Sequence, residues 1–78
     1  MIYKVHFNIP PGNYYHGTLY LAEAMQEYEG RLVVITKYMG PKKFKCEAYN
    51  WNPQSEWDWV FHSDWLKPYS NKLNINFL

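Results

Sequence analysis

The chain has 78 residues, a net charge of +1 and an aromatic content of 21%. That length allows one domain, spanning residues 1–78. Near neutrality weighs against a strongly electrostatic nucleic-acid binder and equally against an acidic mimic of DNA. A domain this small buries only about 60–65% of the surface its unfolded chain exposes. Its core therefore rests on large side chains, and eight Tyr, four Trp and four Phe supply them. Each aromatic buries on the order of 150–250 Å², so a few replace the disulfides or metals of other small scaffolds. Cys46 is the single cysteine, which rules out an intrachain disulfide and fits a reducing compartment. No run approaches about 18 apolar residues, so no membrane helix is expected. The first residues lack the apolar run and cleavage site of a signal peptide, and a cytoplasmic protein is expected.

The first strand is read from alternation. Tyr3, Val5, Phe7 and Ile9 alternate with Lys4, His6 and Asn8, the period-two pattern of a half-buried strand. Pro10, Pro11 and Gly12 stop it. Residues 13–16 read as a loop carrying Tyr14 and Tyr15. A short helix follows in the expectation: Leu21, Met25 and Tyr28 fall at i, i+4 and i+7 with Ala22 beside them. Thr18 would be its N-cap and Gly30 its C′ residue. Such a helix is marginal alone and needs a sheet beneath it.

Residues 31–39 are the strongest strand, with Val33, Val34, Ile35 and Thr36 all β-branched. Gly40, Pro41, Lys42 and Lys43 read as a hairpin connection, and residues 44–49 as the returning strand. Residues 50–55 read as a turn. Residues 56–62 form the next strand, with Trp57, Trp59 and Phe61 on one face. Ser63 to Leu66 read as a single 3₁₀ turn closed by Pro68. Residues 72–78 alternate again, with Leu73, Ile75 and Phe77 on one side, as a fifth strand. Five short strands in succession point to a small closed or half-closed barrel.

Over residues 21–59 the chain resembles a family of small uncharacterised proteins of phages and Gram-positive bacteria. The residues that carry the resemblance are Leu21-Ala22, Met25, Tyr28 and Gly30-Arg31, then Val33 and Ile35, then the pair Trp57 and Trp59. Arg31 stands where the family usually has Lys. The Asp-x-Gly turn of the family is missing near residues 50–56, and the chain runs on past Trp59. The resemblance implies an SH3-like barrel of about five antiparallel strands, with one short helix between the first and second. It also implies a phage or prophage origin, hence a host-cell cytoplasm as the site of action. It implies no activity, because fold does not determine function.

Catalysis finds little support in the residues. Cys46 would need activation by His6, His16 or His62, yet it lies mid-strand beside Phe44 and Ala48, as a small buried hydrophobe does. The histidines and Cys46 lack the C-x-x-C or H-x-x-x-H spacings of metal sites, so neither metal nor cofactor is expected. Glu56 and Asp58 share a strand face, a pattern equally given by an edge strand that uses charge against aggregation.

Two binding readings remain, with a third beside them. Tyr14, Tyr15, Trp51, Trp65 and Tyr69 fall in loops and turns, and Tyr and Trp are the residues that anchor protein interfaces. This favours a non-catalytic module that binds a host or defence-system protein, as a phage-encoded inhibitor of the anti-CRISPR or anti-defence kind. Its phage part rests on the resemblance alone. The alternative partner is single-stranded nucleic acid: Lys37, Tyr38, Lys42, Lys43 and Lys45 cluster on one hairpin, and small barrels combine basic grooves with stacking aromatics. The third reading is a small-ligand sponge with a polar and aromatic pocket. Trp57 and Trp59 are expected to plug the barrel. Both a monomer and a homodimer are compatible with a free strand edge.

Overall fold

Alternation at the start of the chain is realised as β1, Ile2–Val5, and it continues beyond the strand: Val5 and Phe7 are buried while Lys4, His6 and Asn8 are exposed. The computed structural model describes residues 1–69; the strand expected at residues 72–78 lies outside them. After the Pro10-Pro11-Gly12 stop the chain forms β2, Asn13–Tyr15, and β3, Leu19–Leu21. These pair as an antiparallel hairpin, with Tyr14 opposite Tyr20. The segment expected as a loop is thus half of a two-stranded sheet.

The expected α-helix is corrected by this hairpin. Pairing with β2 holds residues 19–21 in extended form, so the helical segment is reduced to Glu23–Tyr28. Six residues before Gly30 are too few for a stable α-helix, and they wind as a 3₁₀ helix, which serves in short pieces. Thr18 lies in the hairpin turn; the cap position is Ala22, which makes no side-chain cap bond. Leu21, Met25 and Tyr28 are all buried, as their spacing requires, although the conformation that buries them differs. Gly30, at φ +75°, turns the chain into the main sheet.

β4, Leu32–Gly40, and β5, Lys43–Ala48, form the long hairpin that the β-branched run promised. Two register shifts, between Ile35 and Lys37 and between Tyr38 and Gly40, bend it. β6, Val60–His62, a 3₁₀ turn at Ser63–Trp65, and β7, Leu66–Pro68, complete the chain of elements. The five-stranded antiparallel sheet has the order β6-β5-β4-β1-β7. Its two edge strands come from one short run of chain, bent at the 3₁₀ turn. The sheet therefore curls, and Trp65, at the bend, is completely buried.

The core gathers Val5, Phe7, Leu21, Met25, Val33 and Phe61 around that indole. Phe7 meets Trp65 edge-on at 5.2 Å, and Tyr28 meets Phe61 edge-on at 5.3 Å, the offsets favoured by ring quadrupoles. The strand expected over residues 56–62 is shortened to its last three residues. Phe61 is wholly buried and Trp59 half-buried, but Trp57 is 73% exposed and plugs nothing. Replacing Phe61 by Ala should cost about 3–5 kcal/mol in urea denaturation. Trp57→Ala should stay within about 0.5 kcal/mol of the parent; a large loss there would show that Trp57 belongs to the core.

Candidate functional site

Residues 49–59 leave the sheet and lie over the first 3₁₀ helix, because one carboxylate captures them. Glu27 accepts the backbone N–H of Gln54 at 2.7 Å and of Ser55 at 2.9 Å. Trp51 closes the other end: its Nε1 donates to the Leu32 carbonyl at 2.7 Å, and its ring packs edge-on against Tyr28. The Arg31 guanidinium sits 4.7 Å from the Trp51 ring centroid, in cation–π contact. Between helix and loop runs a cleft of about 790 Å³, lined by Glu23, Ala24, Glu27, Gln54, Glu56 and Trp57, with Ser55. A smaller cleft adjoins it across Ser55, Glu56 and Trp57, and adds Glu47 and Asp58.

The charge arrangement is lopsided. Five of the seven carboxylates in the chain line these two clefts, and no Lys or Arg among the described residues does. The remaining two acids are engaged elsewhere. Glu29 accepts the Phe7 N–H at 2.9 Å and faces His6 Nδ1 at 2.9 Å. Asp64 accepts the Tyr15 hydroxyl at 2.8 Å, and that bond holds its carboxyl below the usual range. Burial, reinforced by Glu27 and Asp58, pushes the Tyr28 hydroxyl upward and keeps it neutral beside the acids.

The lysines of the β4–β5 hairpin line neither acidic cleft. Lys37 pairs with Lys45 and Tyr38 with Phe44 across β4 and β5, and Tyr38 is exposed. Lys42 and Lys43, with Pro41, His16, Thr18 and His62, line a third cleft of about 390 Å³. His62 is buried; its Nδ1 accepts the Asp64 N–H at 2.9 Å. Burial lowers its pKa, opposed by Asp64 and assisted by His16, Lys42 and Lys43.

The interface candidates read from sequence separate on this frame. Tyr14 is exposed and packs on Tyr20 at 5.0 Å, and Tyr69 is exposed at the end of β7. Tyr15 is half-buried and fixed between Asn8 and Asp64. Trp51 is half-buried and held by the bonds described above. Trp65 has no exposed surface, so it serves the core and offers nothing to a partner. The physical reason is its place inside the bend between β6 and β7.

Trp57 is the residue that the strand pattern concealed. Glu56 and Asp58 flank it, and an unpaired acid on either side is a poor neighbour for a buried strand; that was the available signal. Both acids lie outside any strand and line the acidic clefts. Cys46 is buried, and burial pushes its thiol up to about 12. Among the described residues no three His, Cys, Asp or Glu side chains are grouped to hold a metal ion. No helix there is long and apolar enough to cross a membrane.

Comparison of the chain with protein-family models, curated proteins and solved structures finds no match.

Removing the carboxylate that holds the loop, in Glu27→Ala, should cost about 1.5–3 kcal/mol, since hydrogen bonds to charged groups are worth that much. Hydrogen exchange at the Gln54 and Ser55 amides should quicken in the same variant. Cys46 should resist a thiol reagent at about pH 8 until the chain is unfolded, because the thiolate is the reactive form. Rapid labelling of the folded protein would contradict its burial.

Proposed function

We propose that this chain is a non-catalytic binding module, SH3-like in plan, that captures a cationic segment of a protein partner in the acidic cleft beside Trp57. The observation that carries this is the gathering of five carboxylates, without any Lys or Arg among the described residues, around an exposed indole. Tryptophan is the strongest aromatic host for a Lys or Arg head group and a frequent interface anchor. The cleft volume lies in the range of ligand sites, and its walls are held by Glu27 rather than left to a free loop. The SH3-like reading is supported by the strand order, by the hairpin inserted between β1 and β4, and by the 3₁₀ turn joining the two edge strands. The resemblance to phage proteins makes a host or defence-system protein the partner class, with the chain acting as a stoichiometric inhibitor.

A second reading is favoured by the opposite charge on the β4–β5 hairpin. Lys37, Lys42, Lys43 and Lys45 share this hairpin with the exposed Tyr38, and basic and aromatic residues together are what a single-strand nucleic-acid surface uses.

The two readings part in one experiment. An arginine-rich peptide titrated by calorimetry should bind the parent protein and weaken about tenfold or more in Trp57→Ala. Glu56→Lys with Asp58→Lys should abolish binding, while Lys42→Glu with Lys43→Glu should leave it intact. Peptide binding that ignores Trp57 and the acids would remove the proposal. Capture of oligonucleotide alone, lost steeply with salt, would favour the hairpin.

A further inference from the structure

We infer that the cleft between the β2–β3 turn and the β4–β5 turn, lined by His16, Thr18, Lys42, Lys43 and His62, is a binding site for a tetrahedral oxyanion of the phosphate class. It shares no lining residue with the acidic clefts and does not depend on that reading.

Among the described residues every polar side chain lining the cleft can donate a hydrogen bond, and none is a carboxylate. The nearest acid, Asp64, accepts the Tyr15 hydroxyl; its Oδ2 also lies 3.7 Å from His62 Nδ1, an ion pair only when the ring is protonated. Among the described residues no Lys or Arg is ion-paired: the two carboxylate contacts within 4.0 Å both involve histidine. Lys42 and Lys43 adjoin one another at the turn; Asp64 acts on Lys42 from outside the cleft, and among the described residues no acid lines it. A bound oxyanion would gain charge-assisted hydrogen bonds there.

The histidine geometry is suited to this role. His62 Nδ1 is the acceptor for the Asp64 N–H, so the proton of the neutral ring sits on Nε2. His62 is 5% exposed and lines the cleft, and its ring is 5.7 Å from that of His16. The groups that face it are Tyr15 and His16 from the hairpin, Lys42 and Lys43 from the β4–β5 turn, and Asp64 from its own segment. Desolvation and the neighbouring cations depress its protonation, and an anion in the cleft would restore it.

The backbone is strained at the same place. His16 at φ 52° and Lys42 at φ 61° are two of the three non-glycine residues with positive φ among the described residues, and both line this cleft. Left-handed lysine is uncommon and is tolerated only where its surroundings impose it. Ser63 N–H on the Lys42 carbonyl, at 2.9 Å, and Thr18 N–H on the Tyr15 carbonyl, at 3.1 Å, impose it at the two turns. A volume of about 390 Å³ exceeds what a bare anion fills. A phosphate carried on a small organic group fits as well as free phosphate.

The test is calorimetry and histidine NMR on the whole chain at constant ionic strength. The probes are sulfate, inorganic phosphate, a nucleoside monophosphate and a single-stranded oligonucleotide. Sulfate keeps its charge across the range, so pH dependence with it reports the protein. Saturable one-site binding is expected, tightening several-fold from about pH 8 to about pH 6 as the anion draws a proton onto His62. The His62 ring resonances should titrate at higher pH with sulfate bound. Lys42→Gln with Lys43→Gln should weaken binding about tenfold or more. Lys42→Gly suits the positive φ and guards against a merely unfolded variant; it too should weaken binding. His62→Asn keeps an acceptor for the Asp64 N–H and should flatten the pH dependence. Tighter binding of the nucleoside monophosphate than of phosphate assigns the site to an organophosphate, and equal binding assigns it to the free ion. Unsaturable binding, indifference to the lysine substitutions, or binding of the oligonucleotide alone would overturn the inference.

Discussion

The structure turns on one buried ring and the hydrogen bonds that hold it. Trp65 fills the bend between β6 and β7, and its indole N–H donates to Asn8 Oδ1 at 3.1 Å. Asn8 in turn donates to the Tyr15 hydroxyl at 3.2 Å, and that hydroxyl donates to Asp64 at 2.8 Å. The chain of bonds ties the segment after β1 to the β2–β3 hairpin and back to the turn that carries Trp65. A large ring is placed in the core without leaving its polar atom unpaired, which would otherwise cost about 1–3 kcal/mol. Without this knot the two edge strands would have no reason to bend around the same centre.

The same bend positions both clefts. By drawing β6 back beside β5 it sets His62 opposite Lys43, and the 3₁₀ turn anchors the Lys42 carbonyl through Ser63. The cleft lined by Lys42, Lys43 and His62 is a consequence of that pairing. On the other side, β6 is only three residues long, so the preceding chain is free to be captured by Glu27. That capture carries Trp57 out of the sheet and sets it among acids. A chain with net charge +1 thus presents two surfaces of opposite sign, and near neutrality conceals the polarity that matters for partners.

The differences between sequence reading and structure share a cause. At Leu21, Met25 and Tyr28 the spacing correctly named a buried face. It could not know that residues 19–21 were already paired with β2, leaving too little chain for an α-helix. At Trp57, Trp59 and Phe61 the alternation is genuine, but the strand begins only at Val60 because Glu27 holds the residues before it. Trp65, in a turn by sequence, would be on the surface in most turns; here the turn lies at the bend around the core. Each outcome depends on a contact between residues far apart in the chain.

What the sequence by itself determined is the set of strongly periodic elements: the first strand, the β-branched β4, the β5 return and the buried face of residues 21–28. Local preference and alternation act over a few residues and are written in order along the chain. Only the tertiary structure decided which aromatics are free, which acids gather around Trp57, and that two lysines and two histidines share one cleft. Those facts arise from the curl of the sheet and from single hydrogen bonds such as Glu27 to Ser55. No periodicity encodes them, because the partners meet only after the chain has folded.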